Sequence, residues 1–195
     1  MNILLDRLQY SIVYEGKRHR LFPYFNRILW LLKIQAEQNL FDDDKLEVAC
    51  RLIVEGTPSA GLYEAAVNAI VGEQAEQDND APPVFDFIQD AELIYTAFRQ
   101  SYRIDLRAEH DHMHWQEFVT LFNGLPEGTR FAQIVEIRTR PMPKPSKENA
   151  EYRITLAQLK AKYAIKEDPD KVRARFARQM MALADKMTKK AGDNT

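Results

Sequence analysis

The stretch VFDFIQDAELIYTAFRQSYRIDL, residues 84–106, decides the fold class. Phe87, Ile88, Ala91, Ile94, Tyr95, Phe98 and Tyr102 recur mostly three and four positions apart, the period that gathers side chains on one face of an α-helix. A stripe this wide has to be covered by other parts of the chain, so the helix is expected at the centre of the core. Downstream, a second helix over about 111–123 presents Met113, Trp115, Phe118, Val119 and Phe122. Gly124-Leu125-Pro126 ends it, and Glu127 to Arg138 resumes with Phe131, Ile134 and Val135.

Upstream, EQAEQDNDAPP (residues 73–83) contains no large apolar residue and closes on two prolines, the composition of a linker or mobile loop. Three helices are expected before it. The first follows Pro23, runs over about 24–39 and carries Phe25, Ile28, Leu29 and Leu32. The second starts at the acidic Asp42–Asp44 cluster and runs to about Glu55. After Gly56-Thr57-Pro58, Ser59 can cap a third with Leu62, Val67 and Ile70. At the N-terminus Ile12 and Tyr14 alternate with Val13 before Glu15-Gly16, which predicts a short β-hairpin over roughly residues 8–22.

Beyond residue 140 the chemistry changes. Pro141, Pro143 and Pro145 alternate in RPMPKPSK, which favours an extended connector. Two helices are expected after it, over about 147–163 and 169–190. Residues 1–140 hold 14 Lys and Arg against 22 Asp and Glu, a net −8; residues 141–195 hold 13 against 7, a net +6. The expected organisation is therefore mainly α. A helical bundle with a small N-terminal β-hairpin occupies 1–140, and a basic, extended helical segment follows the proline connector over 141–195.

Bulk properties narrow the class. Apolar residues make up 45% and charged residues 29% of the chain, an ordinary globular mixture long enough for a core without metal or disulfide staples. Seven glycines are few for a chain that must turn as often as a β-protein does. Cys50 is the only cysteine and sits in the apolar LEVACRLIV, where it serves as a small hydrophobe. A single cysteine and no signal peptide fit a reducing cytoplasm. The longest apolar run, Ile28 to Leu32, is far short of the roughly 20 residues that cross a membrane.

Few residues point to chemistry. HDHMHW contains His110, His112 and His114 beside Asp111. On a helix His110 and His114 would share a face, making them the weak candidates for a metal, but two ligands do not close a site and the remaining histidine, His19, belongs to the hairpin. Nucleophile elbows, P-loops and dinucleotide fingerprints do not occur in the sequence, and the paired acids read as helix starts. No enzyme, cofactor or resident metal is expected. Lys171, Arg173, Arg175, Arg178, Lys186, Lys189 and Lys190 could meet nucleic acid, yet Phe176 is the only aromatic among them and acids interrupt the run, so an acidic protein surface suits them better.

The last predicted helix, KVRARFARQMMALADKMTKK, places Val172, Phe176, Met180, Leu183 and Met187 on one thin stripe. Methionine-bearing stripes adapt to varied partners. Phe176, Met180, Leu183 and Met187, with Arg173 and Arg178, are therefore the candidate partner-binding residues; packing on the body or on a second copy of the chain is the alternative.

The succession YSIVYEGKRHRL, WLLKIQ, FDDDKLEVACRLI, a low-complexity gap, FDFIQDAELIYTAFRQSYRIDL and HWQEFVTLFNGLPEGTRFAQIVEIRTRP resembles the bacteriophage gene-product-fifteen family over about residues 1–165. Its most distinctive blocks are FDFIQDAELIYTAF and the pair HWQEF and LFNGLPEGTRF. Phe87, Asp90, Ala91, Ile94, Tyr95, His114, Trp115 and Phe118 carry the likeness, mostly as core positions. The resemblance implies a non-enzymatic tail assembly chaperone of long-tailed phages. Such a protein coats the tape measure protein in the host cytoplasm and yields as the major tail protein polymerises around that template. A structural component of the finished tail is the rival role. His110, His112 and the stretch after residue 166 depart from the family pattern.

Overall fold

The computed structural model describes residues 5–36, 42–71 and 83–166. Strands β1 (Ser11–Tyr14) and β2 (Lys17–Arg20) pair antiparallel, with Tyr14 opposite Lys17. The two residues between them, Glu15 and Gly16, have φ of +49° and +75°. Positive φ at both central positions is the turn whose twist matches that of the flanking strands, so the predicted hairpin forms where Glu15-Gly16 placed it.

Three helices of the N-terminal half follow: α1 (Phe25–Ala36), α2 (Asp42–Ile53) and α3 (Ala60–Val71). Ser59 starts α3 as expected, its Oγ accepting from the Leu62 amide at 3.2 Å. Ile12, Leu21, Ile28, Ile53, Leu62 and Ile70 lie among the residues of a first core, with Cys50 sealed inside it at 1% exposure. Burial pushes the Cys50 thiol up, and the Ser59 carbonyl only partly opposes this. The cysteine is a packing residue.

A second core belongs to α4 (Ala91–Tyr102), α5 (Trp115–Asn123) and α6 (Arg130–Thr139). Phe98 and Phe118 stack 5.3 Å apart and Phe25 stacks on Phe118 at 4.9 Å. Phe122 meets Phe131 at 5.3 Å. Such offset aromatic pairs add to the large apolar area each ring buries. Because Phe25 lies in this core while Ile28 and Leu31 lie in the first, α1 is shared between them. Trp115 touches both as well.

The segment between hairpin and α1 ties the halves together. The Phe22 amide donates to Ile53 and the Glu55 amide to Arg20, at 2.8 and 2.9 Å. Three residues later the Phe25 amide donates to Met113 and the Trp115 amide to Pro23, at 3.1 and 2.7 Å. The extended chain thus makes one short pairing on each side.

The helices expected from Phe87, from residue 111 and from Glu127 all start later than the sequence expectation, the last two at a side-chain cap. The stripe from Phe87 is not helix throughout: Asp86 Oδ1 accepts from the Ile88 and Gln89 amides at 2.8 and 2.7 Å, closing a separate turn, and α4 begins only at Ala91. Ile88 consequently stands 48% exposed, off the core. The helix expected from residue 111 begins at Trp115, because Asp111 adopts φ +58° and His114 is the cap. The one expected from Glu127 begins at Arg130, capped by Thr129 Oγ1 on the Ala132 amide at 3.2 Å. After the extended proline stretch, α7 (Ala150–Lys162) packs on α6.

Candidate functional site

An open cleft of about 550 Å³ lies on the second core, lined in part by α1 and α4. Its apolar wall comes from Phe25 and Leu29 of α1 and from Ile94 of α4, and Phe118 of α5 reaches it from beneath. The segment after α4 closes the other side with Leu106, Arg107 and His110. That segment turns back because Arg103 ends α4 in the left-handed conformation, φ +60°. Such a volume is typical of a ligand cleft.

Charge is confined to the rim. Arg107 lies over the Tyr95 ring, 5.2 Å from its centroid, and donates to the Tyr95 hydroxyl at 3.2 Å. The hydroxyl donates to Asp105 Oδ1 at 3.2 Å, and the Arg107 amide donates to the same oxygen at 3.1 Å. Desolvation works against the charged Asp105, but the Arg107 amide, the Tyr95 hydroxyl and the Arg107 charge outweigh it and hold the carboxyl below its ordinary range. These bonds fix one lip of the cleft. Glu92 and Thr96 of α4, which also line the cleft, are exposed. Glu92 has no ion-pair partner among the described residues. An apolar floor edged with fixed polar groups suits an amphipathic surface.

The histidines do not assemble as a pair on a helix. His110 is exposed at the cleft edge, its ring 5.7 Å from Phe25. His112 is exposed and donates through Nδ1 to the His110 carbonyl at 2.7 Å. His114 is 1% exposed. Its Nδ1 accepts from the Gln116 amide at 3.1 Å, which leaves the hydrogen on Nε2, facing the Gln9 carbonyl at 3.4 Å. Burial lowers its pKa, partly opposed by the Gln9 carbonyl. Both ring nitrogens are therefore committed to structure. No group of three or more His, Cys, Asp or Glu among the described residues could share an ion. Asp111 binds Arg27 Nε at 2.6 Å and the Asn26 side chain, fastening this turn to α1.

Phe176, Met180, Leu183, Met187, Arg173 and Arg178 lie outside the described residues. The cleft's far wall was not legible beforehand, because Leu106 and Arg107 fall in an irregular turn without periodicity. The sequence did carry one unread signal. Asp90 stands just before α4, four residues before Ile94 and eight before Phe98, in register with its buried face, and Arg138 stands four after Ile134 on that of α6. Opposite charges on two core faces meet: Arg138 grips Asp90 through both Nη atoms, at 2.6 and 2.8 Å. The same guanidinium donates to the carbonyls of Val84 and Tyr163 at 3.2 and 2.6 Å, and the Arg138 carbonyl accepts from Lys160 Nζ. One arginine thus joins the entry to α4 with the C-terminal ends of α6 and α7.

A mainly helical body with a two-stranded hairpin defines a class of small, mainly α-helical proteins. Within that class, the chain belongs to the family described as Bacteriophage Gp15 protein, whose model matches residues 4–165. It is a phage protein. No curated protein and no solved structure matches the chain. No helix among the described residues is long and apolar enough to cross a membrane.

Proposed function

We propose that this protein is a tail assembly chaperone that acts without catalysis in the host cytoplasm. It holds helical, partly apolar segments of the tape measure protein until the major tail protein polymerises around them. The observation that carries this is the apolar cleft of about 550 Å³ on a member of a phage family. A client helix laid across it would offer side chains at positions i, i+3, i+4 and i+7 to the floor formed by Phe25, Ile94 and Phe118. A cleft of this size buries one or two turns, so each contact is weak. A long template binding many copies gains hold through multivalency and gives each copy up singly as tube subunits arrive.

Co-expression with the tape measure protein of the same phage tests the proposal. The expected result is a rise in the soluble fraction of the tape measure and a complex that survives gel filtration. No gain in solubility would refute it. Mass spectrometry of purified virions separates the chaperone from a tail component: the chaperone is absent from the finished particle.

A further inference from the structure

We infer that two copies of this chain bind each other, the outer side of the hairpin in one against the outer side of α2 in the other. The hairpin side is apolar and cationic. Ile12 is 8% exposed and faces the core, so the alternate positions of β1 and β2 look outward. There Val13, 69% exposed, stands across from Arg18, and Arg20 follows on the same face. Arg18 and Arg20 are both exposed, and neither has an ion-pair partner among the described residues. Arg20 lies over the Phe22 ring, 5.3 Å from its centroid, and Arg27 lies over the same ring at 4.7 Å. A guanidinium already held on a ring gives up less side-chain freedom when it meets a carboxylate.

The α2 side is its complement. Asp44, Glu47 and Val48 share one exposed face of that helix, and Val48 is 42% exposed. Glu47 meets Arg51 four residues on, but both are exposed and such a pair adds little. Asp44 has no ion-pair partner among the described residues. The charges segregate by segment: residues 5–36 hold six Lys and Arg against two Asp and Glu, and residues 42–71 hold two against six. Within one molecule these opposite charges do not meet. The C-terminal end of α2 is the end fastened to the hairpin, through the Glu55 amide and the Arg20 carbonyl at 2.9 Å. Asp44 stands nine residues up the helix from Ile53, about 14 Å along its axis and beyond the reach of the hairpin arginines. A second copy supplies what the first lacks. Each face sets an exposed valine among its charges, the order of an interface with an apolar middle and a charged rim. The contact is small and weak alone, and copies brought side by side hold one another through it.

The test uses the full chain alone, so its outcome is independent of any client. Sedimentation velocity over a concentration series at low ionic strength is expected to show reversible association, weakened at least tenfold at about 0.5 M salt. One face is then reversed by Arg18→Glu/Arg20→Glu and the other by Asp44→Lys/Glu47→Lys. All four positions are exposed, and melting curves check that each variant folds. Each variant alone should associate roughly tenfold more weakly or less. An equimolar mixture of the two should recover association, because each reversed face then meets its opposite on the other chain. Should a reversal melt the chain, Arg18→Gln/Arg20→Gln and Asp44→Asn/Glu47→Gln replace the pair, and weaker association in both is the expected result. A chain that stays monomeric throughout, association indifferent to a change on either face, or a mixture of folded reversed chains that fails to recover would overturn the proposal. Loss on changing the α2 acids alone would assign those acids to other cations, and the proposal would fall with it.

Discussion

Asp90 and Arg138 are 4% and 12% exposed, so neither charge has water to fall back on. Burial alone would raise the Asp90 carboxyl, but the Arg138 bonds, the Asp86 amide and the Arg138 charge hold it below its ordinary range. Arg138→Met strands a buried carboxylate and is expected to cost about 3–5 kcal/mol in urea unfolding. The double variant Asp90→Asn/Arg138→Met leaves no bare charge and should recover most of that loss. His114 gives a separate prediction. Its folded pKa is depressed, so between the folded and unfolded values the unfolded chain binds the extra proton. Stability is therefore full above roughly pH 6.5 and falls as the pH drops below it. Asp90 adds its own loss only below roughly pH 4. His114→Asn keeps a capping acceptor and should flatten the upper step in a pH series of melting curves. An unchanged step would assign it to another group.

Among the elements, the hairpin and α1 to α3 were legible because each is punctuated by residues with local effects: Glu15-Gly16, Pro23, Ser59. The starts of α5 and α6 were not, because the capping side chain is chosen by what surrounds it. His114 caps α5 only because its ring is buried against Gln9 and Tyr10, 105 and 104 residues away in sequence. Nothing near HDHMHW announces that. Between α2 and α3, Gly56 has φ +144°, and a Cβ there would stand 2.8 Å from His19 Nδ1 and 3.1 Å from Leu62. His19 cannot swing away without cost, since Nδ1 donates to the Glu55 carbonyl at 2.9 Å. Gly56→Ala combines backbone strain with this clash and should destabilise by about 1–3 kcal/mol. Hairpin backbone shifts in NMR spectra would locate the damage at β2; a neutral Gly56→Ala would show that the α2–α3 link yields freely.

At the scale of the whole molecule, the periodic stripes announced two things: that helices pack, and which residues fill the core. They were silent on the cleft, because a concavity arises where packed elements fail to meet, and each element alone carries no mark of that. Ile94 and Phe118 were named as core residues; that they also face an opening follows only from the turn at Leu106. The expected consequence is separable from stability. Thr96→Arg fills the cleft from an exposed position and should shift unfolding free energy by under about 0.5 kcal/mol, yet abolish the gain in tape measure solubility. Loss of both together would mean the residue supports the fold.

The pairing of residues 23–25 with 113–115 also sets an order of events during synthesis. Phe25 leaves the ribosome some ninety residues ahead of the segment that accepts its amide. The hairpin and its three helices can settle from near neighbours in the chain, whereas the aromatic half waits for this distant closure. Amide deuterium exchange should therefore slow at Phe25 and Trp115 only once residues beyond 118 have emerged on stalled nascent chains.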